Sequence, residues 1–242
     1  MRRTANDGSA GWCAGQLIEK SPKVHPFSSL CATERYDGNI EAFYLDELGL
    51  LTRIYSSINS PQFEKLEKAA SLLKGSRLAC TMLAEDRILV AGIGTDLRLR
   101  IASYCQSRGW SEMVSLGKST DRIGPHSSLS LSSSDSGTKV AVLALSPLGA
   151  MLVFSIARTG EEWTLRETTT ITDPADQQPG TNPAAPLGIL SEARGWKINP
   201  LGDLVFFGGA TQEVYCAGIK DKQHQVLVRK LDGTSVWQNY TA

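Results

Sequence analysis

No stretch of this chain approaches the roughly 20 consecutive apolar residues that cross a bilayer as a helix, so no membrane span is expected. Behind Met1-Arg2-Arg3 there is no apolar run either, and no signal peptide is read there. An excess of charge of one sign is also lacking. The 25 Lys and Arg balance 25 Asp and Glu for a formal net charge of +0, and bulk charge favours neither a nucleic acid nor an anionic membrane as partner. Histidine is scarce: His25, His126 and His224 stand apart, none beside a cysteine or carboxylate at metal-ligand spacing, so no metal site is read. The five cysteines, Cys13, Cys31, Cys80, Cys105 and Cys216, are odd in number and dispersed. That pattern fits buried free thiols better than a disulfide framework, and it favours the cytoplasm or export without a signal peptide.

Motifs of catalysis are missing as well. Gly92-Ile93-Gly94 precedes a strand rather than a helix, so it is turn chemistry and not a phosphate loop. The serine-rich residues 127–136 have no nucleophile elbow around them. Glu41, Asp46, Glu47, Glu85, Asp86, Glu161, Glu162 and Glu192 are scattered over turns and strands, and sequence does not decide whether any two converge as a glycosidase requires. The chain is therefore expected not to be an enzyme and to carry no cofactor.

What the sequence does have is a repeat. Residues 139–145 and 151–156 are apolar runs broken by Ser146-Pro147-Leu148-Gly149, and Asn199-Pro200-Leu201-Gly202 precedes a similar run at 203–208. Two more hairpins fit the template, 40–45 with 51–55 around Gly49 and 87–92 with 97–104 around a turn at residues 94–96. An aromatic follows each turn, at Phe63, Trp110, Trp163 and Tyr215, where an outer strand would begin. Runs of small residues precede each hairpin from residues 29, 77, 128 and 186, and suit an innermost strand. Four strands in roughly 40 to 50 residues is the size of one propeller blade.

The reading is all-β: a β-propeller of four-stranded antiparallel blades, five in number with six as the alternative. It has one domain over residues 11–242 behind a flexible N-terminus, residues 1–10. Residues 225–231 and 235–240 read as two inner strands of a last blade that Gly11-Trp12 closes, leaving no free sheet edge. Two stretches depart from the repeat. Residues 60–75 carry a cap, a first-turn proline and an apolar stripe, so helix and outer strand compete there. Residues 172–186, rich in Pro, Gln, Asn and Ala, read as a solvated loop.

Arg87-Ile88-Leu89-Val90, the turn after it, an apolar third strand and Arg108-Gly109-Trp110 resemble the repeat of the fungal fucose-specific lectins. The resemblance implies a six-bladed propeller with fucose bound between adjacent blades. It implies an Arg from the second strand, a Glu from the third and aromatic side chains against the sugar. Guanidinium and carboxylate fix neighbouring hydroxyls, and a Trp covers the C–H face. Carried onto this chain, Arg87 holds the Arg position while Leu99 stands at the Glu position. In the preceding blade the charges are exchanged, Glu41 for Arg and Arg53 for Glu, and the next blade offers Ala141 and Val153.

The candidate ligand-binding residues are therefore Arg87, Trp110, Trp163, Glu41 and Arg53, with fucosylated glycans as the implied partner. Each has a plainer reading. The tryptophans can be blade-to-blade packing, Arg87 an interblade ion pair, and Glu41 with Arg53 a cross-strand pair contributing up to about 1 kcal/mol. Arg98 and Arg100 alternate onto one face and could hold an acidic partner or be a solvated edge. A propeller without sugar sites that serves as a protein-interaction module is the second reading, a propeller hydrolase the third. A homo-oligomer stays open.

Overall fold

A computed structural model describes residues 21–57, 60–67, 72–84, 86–133, 137–170, 205–208, 213–220, 223–230 and 238–239. Among them lie four antiparallel sheets, each a meander in chain order. The first holds β1 (Cys31–Glu34), β2 (Ile40–Leu45), β3 (Leu51–Ser57) and β4 (Ser60–Lys65). The second holds β5 (Ala79–Leu83), β6 (Arg87–Ile93), β7 (Leu99–Cys105) and β8 (Gly109–Trp110), with β9 (Val114–Leu116) also paired to β7. The third holds β10 (Ser130–Ser133), β11 (Lys139–Leu145), β12 (Met151–Thr159) and β13 (Glu162–Thr170). The fourth holds β14 (Val205–Gly208), β15 (Glu213–Lys220), β16 (Gln223–Lys230) and β17 (Gln238–Asn239). First strands lie side by side in succession, β1 with β5, β5 with β10 and β10 with β14, as the inner strands of propeller blades do.

Second and third strands of the second sheet read as near-continuous apolar runs because the first and third sheets cover its two faces. Phe43, Leu45 and Leu51 of the first sheet meet Ile88 and Val90 of the second in one cluster. Leu89, Ile93, Leu99 and Ile101 of the second meet Val142, Phe154, Ile156 and Trp163 of the third in another.

Each of these three blades is entered through a serine. Ser28, Ser76 and Ser127 accept the N–H of Leu45, Ile93 and Leu145 at 2.8, 2.8 and 2.7 Å, and each donates to the carbonyl of its next neighbour. The same serine thus ties the connection to the end of the second strand, three times.

The hairpin turns depart from expectation in one place. Gly49 and Gly149 take φ of +85° and +82°, a left-handed backbone that glycine adopts without cost. In the second sheet the equivalent position is Leu97, at φ +62°. Gly94 instead stands where Asp46 and Ser146 stand, opening the turn with the same backbone hydrogen bonds. A Cβ at Gly94 would lie 2.4 Å from Asp96 Oδ1, so the glycine makes room for the Asp96 carboxylate, which accepts the N–H of Arg98. Leu97 offsets its strained backbone by packing against the cluster between the second and third sheets.

Residues 60–65 settle the competition between helix and strand: they form β4, with Pro61 on an edge strand, where a missing N–H costs no ladder bond. The fourth sheet corrects the blade assignment. A third strand at 203–208 and a separate last blade from 225 were expected, but β14 is the innermost strand and β15, β16 and β17 complete one sheet with it. Eight-residue strands paired along their whole length outweigh the likeness of one short Pro-Leu-Gly stretch. The innermost run from residue 186, the loop at 172–186 and the closing strand near Gly11-Trp12 lie outside the described residues, and no closed ring is seen among those described.

Candidate functional site

The site is built across the first two sheets, starting at Glu41. In the β2–β3 register Glu41 pairs with Tyr55 and Phe43 with Arg53, so Glu41 and Arg53 are diagonal neighbours on one face. That face meets the second sheet, and both side chains are buried, at 1% and 7% exposure. Arg53 donates from Nε to Glu41 Oε2 at 2.7 Å and from Nη2 to Oε1 at 2.6 Å, a bidentate pair. Its Nη1 donates to Glu64 Oε2 at 3.0 Å, because Glu64 lies opposite Arg53 on β4. Arg35, from the β1–β2 turn, adds a third donor to Glu41 at 2.8 Å. The same guanidinium crosses to Asp86 in the β5–β6 turn, with Nε at 3.2 Å and Nη2 on the other oxygen.

Aromatic side chains surround this charge. The Arg53 guanidinium carbon lies 4.2 Å from the ring centroid of Tyr55, 5.2 Å from Tyr104 and 5.9 Å from Trp110. Tyr104 and Trp110 are register partners on β7 and β8, and Phe43 meets Trp110 edge-on at 5.4 Å. Trp110 Nε1 is buried and meets no acceptor among the described residues. Burial alone would pull the Arg53 guanidinium's pKa down, but hydrogen bonds from Arg53 to Glu41 and then Glu64 reverse this and raise it. The deep part of the cluster is thus satisfied internally. Glu64 is 42% exposed, and Tyr55, Tyr104 and Trp110 are half-buried. A guanidinium edge, an accessible carboxylate and aromatic faces together suit a polyol that offers hydroxyls on one side and C–H bonds on the other.

The interface between the second and third sheets is different. Arg87 makes a bidentate pair with Glu161 of the β12–β13 turn, at 2.6 and 2.8 Å. Aligning the hairpin ends Leu45 and Ile93 shows that Leu89 and Ile101, not Arg87 and Leu99, occupy the positions of Glu41 and Arg53. Leu89 and Ile101 are buried, and Trp163, 7% exposed, packs into the same apolar cluster. Ala141 and Val153 hold the corresponding positions of the third sheet. Arg100 pairs with Asp96 at 3.0 Å and Arg98 donates to the Gly117 carbonyl, so their nearest partners come from their own sheet.

Of the five candidates, the structure brings Glu41, Arg53 and Trp110 together and places Arg87 and Trp163 at the next interface. Sequence reasoning missed Arg35, Tyr55, Glu64, Asp86 and Tyr104. Tyr55 was within reach, two residues after Arg53 on the same face of β3, whereas Glu64 and Asp86 arrive only through register and blade packing. Among the described residues no group of three His, Cys, Asp or Glu could hold a metal ion, and no helix is long and apolar enough to cross a membrane.

No family model matches the chain. No curated protein matches it either. Solved structures do. AofleA from Arthrobotrys oligospora superposes with a TM-score of 0.64 at 11% identity, over 91% of this chain and 58% of that one. The BP39L lectin from Burkholderia pseudomallei gives 0.62 at 13% identity, over 87% and 54%. The Aleuria aurantia lectin, described as a six-bladed β-propeller with a novel fucose recognition mode, gives 0.59 at 13%, over 91% and 65%. This chain thus spans less than two thirds of the length of each, and across that span its fold is that of the fucose-lectin β-propellers.

Proposed function

We propose that this chain is a non-catalytic carbohydrate-binding protein that takes fucose or a related sugar at the cleft between its first and second sheets. One observation carries the reading: the cluster of Glu41, Arg53 and Glu64 rimmed by Tyr55, Tyr104 and Trp110 lies between sheets of a lectin-type propeller. In this reading a sugar hydroxyl inserts between Glu64 and Arg53 Nη1, where charge-assisted hydrogen bonds replace part of the resting pair. The C–H face lies on Trp110 or Tyr55. The charges are exchanged between second and third strands relative to the fucose-lectin pattern, so the hydroxyl geometry selected, and with it the sugar, need not be that of fucose lectins.

A protein-interaction module is the second reading, favoured by the apolar filling between the second and third sheets, where Leu89 and Ile101 hold the positions of Glu41 and Arg53. A glycan-array screen of the purified chain, alongside Arg53→Lys, Trp110→Ala and Arg87→Ala, separates the two. Sugar binding lost in Arg53→Lys and Trp110→Ala supports the first cleft. Binding lost only in Arg87→Ala moves the site to the second interface, and a blank array from folded protein sinks the lectin reading.

A further inference from the structure

The first and second sheets also meet at their innermost strands. Just before β1 and β5, Leu78 donates its N–H to Ser29 Oγ at 2.7 Å, and Ser29 Oγ lies 3.5 Å from the Leu78 carbonyl, which fixes the two chains side by side. Two residues further along each stand Cys31 and Cys80. The period-two alternation of a strand puts both on the side where Ser29 and Leu78 meet. Both pack against the same apolar cluster between the sheets, and both are half-buried free thiols. A hydrogen bond with Cys80, followed by burial, pushes the Cys31 thiol well above the ordinary range.

We propose that Cys31 and Cys80 are a reversible dithiol–disulfide pair that staples the innermost strands of the first two sheets when the chain meets an oxidising small-molecule disulfide such as oxidised glutathione. One thiolate attacks a sulfur of the oxidant, forming a mixed disulfide and expelling one glutathione thiolate. The second cysteine, losing its proton, attacks the protein sulfur of that mixed disulfide and expels the other. Two electrons pass from the protein dithiol to the oxidant, and both protons end on released glutathione. The bond encloses all of β2, β3 and β4 in one covalent loop, which restricts the unfolded chain. This pair is independent of the sugar reading.

The test is to treat the purified chain with oxidised glutathione, alkylate the remaining thiols, digest without reduction and map the peptides by mass. The expected product is a Cys31–Cys80 linked peptide from monomeric protein, absent in Cys31→Ser and Cys80→Ser and reversed by dithiothreitol. The melting temperature should rise by roughly 5 °C or more in the unsubstituted chain alone. Cys31→Ala and Cys80→Ala repeat the comparison if a serine variant does not fold. Alkylation of both cysteines after treatment, stable glutathione adducts without a link, or pairing of either with another cysteine would overturn the proposal.

Discussion

Burial changes what one ion pair does. On an exposed hairpin Glu41 and Arg53 would contribute at most about 1 kcal/mol, but Glu41 is 1% exposed and its carboxylate depends on Arg53 and Arg35 for every hydrogen bond described here. Arg53→Ala would leave that carboxylate buried with half its partners gone, and a cost of about 3–5 kcal/mol is expected. Glu41→Ala with Arg53→Ala should cost well under the sum of the two singles, since the second change removes the stranded charge. Urea denaturation of the three variants measures this, and strict additivity would show that the pair does not act as a unit. The pairing itself was legible, because two opposite charges stand on the two strands that one glycine turn joins. The environment was not: whether Trp110 rims charge and Trp163 fills an apolar cluster depends on which residues the neighbouring sheet brings, and no local spacing encodes that. Arg87 shows the same limit in register, since it leads its strand two residues ahead of the position Glu41 holds.

Among the elements, the connection into each blade is the most regular device and the least visible in sequence. Ser76 and Ser127 are 0% and 1% exposed, and each caps the N–H that ends a second strand. Alanine at either position would leave that N–H buried without its acceptor, at an expected cost of about 1–3 kcal/mol. The two sites lie in different sheets, so the double variant should be additive within a few tenths; equilibrium unfolding with a change under 0.5 kcal/mol for both would refute a structural role, against the surface-substitution range of about that size. These serines escaped notice because serine is common in loops and the repeat was anchored on glycine. Anchoring on glycine worked for the first and third hairpins, where apolar runs flank a sharp turn, and placed β2 and β11 at their observed bounds. It failed in the second turn, where Leu97 takes the left-handed position, and in the fourth sheet, where Pro200-Leu201-Gly202 precedes an innermost strand rather than a third one.

Across the described residues as a whole, charge is concentrated at turns and in the buried Glu41–Arg53 cluster, while the interface between the second and third sheets is held by apolar contact together with the Arg87–Glu161 pair. The turn carboxylates link this layout to pH. Burial pushes the Asp46 carboxyl up, but the Lys65 ammonium at 2.9 Å and the N–H groups of Leu50 and Leu48 outweigh it and hold its pKa below the ordinary value. At Asp96 burial is likewise overcome, by the Arg98 N–H and the Arg100 guanidinium. A carboxyl whose folded pKa is depressed binds its proton more readily when unfolded. Its stabilising contribution is therefore fully present above the unfolded value of about 3.9 and disappears as pH falls through the folded value. The urea midpoint should accordingly stay level from neutral pH down to about pH 5 and then fall steadily below about pH 4. Asp46→Asn keeps an oxygen for the Leu48 and Leu50 N–H groups but gives up the charge facing Lys65, so it should lower the midpoint at neutral pH and flatten the acid limb. The same substitution should leave the two proteins nearly equal in stability at the acid end, where Asp46 is protonated in both states. An acid limb of unchanged steepness in Asp46→Asn would mean that the loss of stability is governed by other carboxylates, Asp96 first among them.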